Sequence, residues 1–80
     1  MNQGFPDKAR IEAYRKTYPA GTRVELVKMD DPYTKLRPGD RGRVFRIDDA
    51  GGIHINWDNG SSLAAIIGED IIQKIEEDAQ

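Results

Sequence analysis

Cysteine is absent from the 80 residues, which removes disulfide staples and thiolate-bound metals as sources of stability and suits a reducing compartment. No apolar run approaches the roughly 20 residues that span a bilayer. The opening Met1-Asn2-Gln3-Gly4-Phe5-Pro6 has neither a basic nor an apolar stretch, so no secretory leader is expected and a cytoplasmic location is. Histidine occurs once, as His54, which leaves little for general acid–base chemistry. A chain this short holds one core and buries only about 60% of its unfolded surface. Folding must therefore rest on the 38% of residues that are apolar.

Charge is uneven along the chain. Residues 1–46 carry eleven Lys/Arg against six Asp/Glu, whereas residues 47–80 carry Lys74 alone against eight carboxylates. The net charge of −2 argues against general, non-specific nucleic-acid binding.

Residues 6–17 have the pattern of a short amphipathic helix. Pro6 suits a first helical turn, Asp7 the positive end of the dipole, and Ile11, Tyr14 and Tyr18 make one apolar stripe. Pro19 excludes Tyr18 from the α region and ends the helix near Thr17. A helix this short must dock to persist, and Phe45 is a candidate landing place. Five strands are expected after it: Thr22–Met29, Gly42–Asp48, Ile53–Trp57, Ser61–Ile67 and Ile71–Ile75, the last with a helical turn as the alternative. Asp30-Asp31-Pro32-Tyr33 and Arg37-Pro38-Gly39-Asp40 bound an irregular loop. Asp49-Ala50-Gly51-Gly52 and Asn59-Gly60 mark hairpins, the second with the signature of a type I′ turn.

Val44 and Ile47 lie three apart and can both face inward only across a β-bulge. Small barrels need such bends to close. The expected fold is mainly β, a five-stranded SH3-like barrel over residues 18–75 with the N-terminal helix, residues 1–17, docked on it and an acidic frayed tail at 76–80. Val24, Leu26, Val44, Ile47, Ile53, Ile55, Leu63 and Ile72 should form the core. Trp57 shares the face of Ile53 and Ile55, with a half-exposed ring at the strand end as the alternative.

Several segments together resemble domain-of-unknown-function family 4314, a small family of bacterial, phage and plasmid proteins. They are Gly21-Thr22-Arg23-Val24 through Met29-Asp30-Asp31-Pro32, Pro38-Gly39-Asp40-Arg41-Gly42, Ile47-Asp48-Asp49-Ala50-Gly51, and Trp57-Asp58-Asn59-Gly60-Ser61-Ser62-Leu63. The resemblance covers roughly residues 18–75 and implies an SH3-like barrel of mobile-element origin, with no activity attached. Pro38–Ile47 also looks like a KOW-type motif of ribosomal and transcription-factor barrels, through Gly42, Val44 and Ile47.

No enzyme is expected. His54 alternates outward, and Ser61 and Ser62 sit in a tight hairpin without a nucleophile elbow. Asp30-Asp31 and Asp48-Asp49 lack the alternating spacing of a calcium loop and read as turn residues. No metal or cofactor is expected. Tyr33 stands in a polar loop that no periodicity buries, beside Lys35 and Arg37. This loop has the place of the long first loop of an SH3 barrel, so Tyr33, Lys35 and Arg37, with Asp58 and Asn59 as a second wall, are candidate binding residues. A tyrosine that merely covers the barrel end is the alternative. Arg41, Arg43 and Arg46, with Lys35 and Arg37, put five cations within twelve residues, a solvated strand face or, with Tyr33 and Phe45, a surface for phosphates and bases. The leading expectation is a non-catalytic binding module with a protein partner. A KOW-like nucleic-acid accessory factor is the alternative, and a structural or oligomeric protein without a discrete ligand a third.

Overall fold

The computed structural model describes residues 6–31 and 33–76. Most of the expected acidic tail, the first five residues and Pro32 lie outside the described residues. Helix α1 spans Lys8–Thr17. Asp7, in extended conformation, accepts the Arg10 N–H at 2.8 Å and so satisfies a donor that the first turn leaves open. Asp7 is thus the N-cap and Pro6 precedes it, one step outside the turn expected from sequence. Tyr18 ends the helix as Pro19 requires, and its N–H donates to the Tyr14 carbonyl at 2.7 Å.

Five strands follow: β1 Arg23–Lys28, β2 Arg41–Ile47, β3 Gly52–Trp57, β4 Ala65–Ile66 and β5 Ile71–Lys74. They form one antiparallel sheet in the order β4-β3-β2-β1-β5. The final segment is therefore strand and not a helical turn. In β2 the register shifts between Val44, opposite Ile55, and Arg46, opposite His54. That bulge lets Val44 and Ile47 both bury while Phe45 stays 44% exposed. A second shift lies between Leu26 and Lys28 in β1.

Contrary to the sequence expectation, the sheet does not close into a barrel: its edges, β4 and β5, are not hydrogen-bonded neighbours. The cause is local. β4 has only two residues, and the backbone around it is satisfied by the turn that follows. Asp70 Oδ2 accepts the Ile66 N–H at 2.8 Å, and the N–H groups of Glu69 and Asp70 donate to the Ile66 carbonyl at 3.0 and 2.9 Å. Bonds that would close a barrel are taken by this turn.

The expected core residues Val24, Leu26, Val44, Ile47, Ile53, Ile55, Trp57 and Ile72 are buried. Leu63 is not: at 37% exposed it lies outside the shortened β4. The buried indole of Trp57 needs an acceptor, and its Nε1–H donates to the Leu63 carbonyl at 2.8 Å. Ile11, Leu36, Ala65 and Ile67 complete the core, with Tyr14, Tyr18 and Met29 packed against it.

α1 docks at the end of β2 and not over Phe45, whose ring instead lies 5.8 Å from that of His54. Ile11 enters the core, and Arg15 anchors the exposed side. Its Nε and Nη2 donate to the Ile47 carbonyl at 3.2 and 2.8 Å, and Nη2 also meets Asp49 at 2.8 Å. Pro6 packs on the turn below, so close that a Cβ on Gly51 would lie 2.6 Å from its ring.

The Asn59-Gly60 hairpin differs from the type I′ expectation. The Gly60 N–H donates to the Trp57 carbonyl at 2.9 Å. Gly60 has φ 93°, and among the described residues only glycines have positive φ. This is a type I turn followed by a bulge glycine. Asn59 contributes its side chain instead, Oδ1 accepting the Ser61 N–H at 2.9 Å.

Two stability measurements check this architecture. Ile55→Ala, at a fully buried position, should lose about 2–5 kcal/mol in urea unfolding; a loss under about 1 kcal/mol would contradict the register. Gly60→Val places a β-branched residue at φ 93° and should lose about 1–2 kcal/mol. Glu76→Val, at an exposed position, should change little, and equal melting temperatures for these two variants would contradict the turn.

Candidate functional site

The loop between β1 and β2 is held by its own side chains. Asp31 Oδ1 accepts the Tyr33 N–H at 2.9 Å, and Thr34 Oγ1 accepts the Leu36 N–H at 3.0 Å. These bonds fix a local turn that sends Leu36 into the core and leaves Tyr33 92% exposed. Facing this loop is the segment between β3 and β5. Leu63 is fixed there from both sides, its carbonyl by Trp57 and its N–H by Ser61 Oγ at 3.2 Å.

Between the two segments runs a groove with two compartments that share Asp31, Tyr33 and Leu63. The larger, about 750 Å³, is lined by Met29, Asp30, Ala64, Ile66, Glu69 and Asp70 besides the shared three. The smaller, about 490 Å³, adds Thr34, Lys35, Asn59, Gly60 and Ser61. One compartment is thus acidic and apolar, the other polar with a lysine at its wall. Among the described residues no three His, Cys, Asp or Glu side chains are grouped as a metal ion requires.

Of the residues singled out from sequence, the structure brings Tyr33, Lys35 and Asn59 together in one compartment. Arg37 lies outside it, in a turn where its N–H donates to Asp40 Oδ2 at 2.9 Å. Asp58 also lies outside. Its two carboxylate oxygens accept Arg23 Nη1 and Nη2 at 2.8 and 2.6 Å. Arg23 is only 8% exposed, and its guanidinium holds the Asp58 carboxyl below its usual pKa. The acidic wall was missed in sequence because Asp30-Asp31 reads as a turn and Glu69 and Asp70, far along the chain, carry no signal that joins them to it.

The basic run divides. Arg41 Nε meets Glu25 Oε1 at 3.2 Å, and Arg43 Nη1 donates to the Gly21 carbonyl at 2.8 Å. Arg46 is exposed, opposite His54 across the β2–β3 ladder. His54 is half-buried, not plainly solvent-facing, and its Nε2 lies 2.8 Å from Asp48 Oδ2. Because an ionised carboxylate only accepts, Nε2 is the donor. Asp48 Oδ1 accepts the N–H groups of Gly52 and Ala50 at 2.8 and 2.9 Å. These bonds, Gly52 foremost and then His54, lower the Asp48 pKa to about 2. Ser61 and Ser62 lie beyond the opposite end of β3 from this pair.

Fold and groove together define a small antiparallel-sheet domain with a helix packed at one end and a loop-built cleft. Residues 7–75 match the family described as domain of unknown function DUF4314, and the chain belongs to that family. The match starts at Asp7, the helix cap, so α1 is part of the family's domain. No curated protein and no solved structure matches the chain. Among the described residues no helix is long and apolar enough to cross a membrane.

Asp48 generates a pH prediction. A carboxylate whose pKa is lowered on folding stabilises fully above its unfolded value, about 4, and loses that contribution as pH falls through the folded value. Asp48→Ala should therefore be less stable than wild type at pH 7, and the gap should close between about pH 4 and about pH 2. Urea midpoints measured across that range check this; a gap independent of pH would contradict the assignment.

Proposed function

We propose that this protein is a non-catalytic, protein-binding module that takes its partner in the groove between Tyr33 and Leu63. The observation that carries the reading is Tyr33 itself, 92% exposed on a loop braced by Asp31 and Thr34. A large aromatic held in place before binding gains contact area at little entropic loss, which is why tyrosine is enriched in recognition surfaces. Leu63, which alternation would bury, is turned outward beside it. The strand order supports an SH3-like relation: β5 returns beside β1, and the long β1–β2 loop borders the groove, as it borders the peptide site of such domains. The non-catalytic reading rests on His54, whose Nε2 is engaged by Asp48 away from either serine.

One observation favours nucleic acid as a second reading: Phe45, Arg46 and His54 share an outward patch on β2 and β3, and aromatic and cationic side chains together can stack bases and hold phosphate.

Immobilised wild-type protein and Tyr33→Ala, each exposed to nuclease-treated cell extract, separate the two readings. Tyr33→Ala should unfold within about 0.5 kcal/mol of wild type yet capture about tenfold less of the wild type's protein partner. Equal capture by both forms would overturn the reading. So would recovery, from untreated extract, of nucleic acid alone, released steeply as salt rises.

A further inference from the structure

The two compartments of the groove differ in charge, and the difference says what kind of segment fits. Resting on the protein-binding reading above, we infer that the partner presents an extended cationic–apolar segment. Its Lys or Arg side chains lie along the larger compartment, and an aliphatic or aromatic residue sits on the Tyr33–Leu63 ridge.

Four carboxylates border the larger compartment: Asp30, Asp31, Glu69 and Asp70. Asp31 and Asp70 each give one oxygen to a backbone N–H, of Tyr33 and of Ile66, which leaves each a second oxygen. Glu69 is exposed and has no ion pair among the described residues. Among the described residues the only ion pair at this wall is Lys28 with Asp30, 3.6 Å apart with both side chains exposed, a contact worth little. Arg10 borders Gly68 and shares a cavity with Asp70 but forms no ion pair with it. Among the described residues the wall's carboxylates are therefore otherwise without ion pairs, whereas Glu12, Asp49, Asp58 and Glu25 are each paired with an arginine.

An anionic or phosphate-bearing partner would meet like charge here, whereas a cationic segment meets complementary charge that steers its approach and sets its orientation. Apolar lining accompanies the charge: Met29, Leu63 and Ile66 border the same compartment. Purely polar cations would leave it uncovered. The carboxylates do not converge as a metal ion requires. At the far end Lys35 changes the sign, which disfavours a further cation and gives the bound segment a direction.

The test uses the full chain, isotopically labelled, with three pools of seven-residue peptides. One pool has Lys or Arg flanking Leu, Ile or Phe; the second has Glu at the same flanking positions; the third has Ser there. Backbone amide shifts report where each pool binds. The basic pool should shift Asp31, Tyr33, Leu63 and Glu69, with affinity falling as salt rises from about 50 to about 300 mM. The double variant Asp30→Lys, Glu69→Lys changes only exposed carboxylates outside the core. It should keep the wild-type urea midpoint and bind the basic pool about tenfold more weakly.

Equal binding of the acidic or serine pool, or an unchanged affinity in the double variant, overturns the charge assignment and leaves the protein-binding groove standing. No shift at these amides with any pool overturns both. Shifts at Phe45, Arg46 and His54 on adding a single-stranded oligonucleotide would then place the binding surface on the other patch.

Discussion

The bulge at Phe45 is the constraint on which the rest of the fold depends. One extra residue between Val44 and Arg46 turns both Val44 and Ile47 inward, so β2 adds to the core on both sides of the bulge. With Ile47 inward, its carbonyl lies where the Arg15 guanidinium can hold it, and the helix acquires its anchor. Ile11 then enters the core and Pro6 settles on the Asp48–Gly51 turn. An unbulged β2 would send Ile47 to the outer face and leave α1, too short to persist alone, without a site.

The second organising feature is the satisfaction of irregular backbone by nearby side chains. Asp31, Thr34, Asp48, Asn59, Ser61 and Asp70 each accept a backbone N–H within a few residues. Short polar side chains suit this because they reach their own turn. All of these residues but Asp48 also border the groove, and two of them, Asp31 and Asp70, are carboxylates. The same carboxylates therefore hold the loops and colour the cleft between them.

Strand content was legible in the sequence wherever one face is buried. Ile53, Ile55 and Trp57 alternate cleanly, and the three-residue spacing of Val44 and Ile47 disclosed the bulge. Leu63 followed the same alternation but lies exposed, since alternation does not register a buried indole that needs a carbonyl. Leu36 could not be found because its loop has no period. Asn59-Gly60 marked the turn but not its type: one dipeptide serves both geometries, and the bond to Ser61 decides between them. Barrel closure was misread because the Asp70 side chain, and not a partner strand, completes β4. Tyr33 was visible as an unburied aromatic, whereas the wall opposite it joins residues nearly forty positions apart and exists only in the fold.

The unclosed sheet has a consequence for how copies of this chain meet in a crowded cell. Open edges invite another molecule to add a strand, the route by which β proteins template fibres. Here one edge is two residues long, with the Ile66 amide already engaged by Asp70, and the other is four residues long and carries Lys74. Neither offers the long, flat, uncharged ladder that propagation needs. Keeping β4 short thus forgoes barrel closure while denying a neighbouring copy a template.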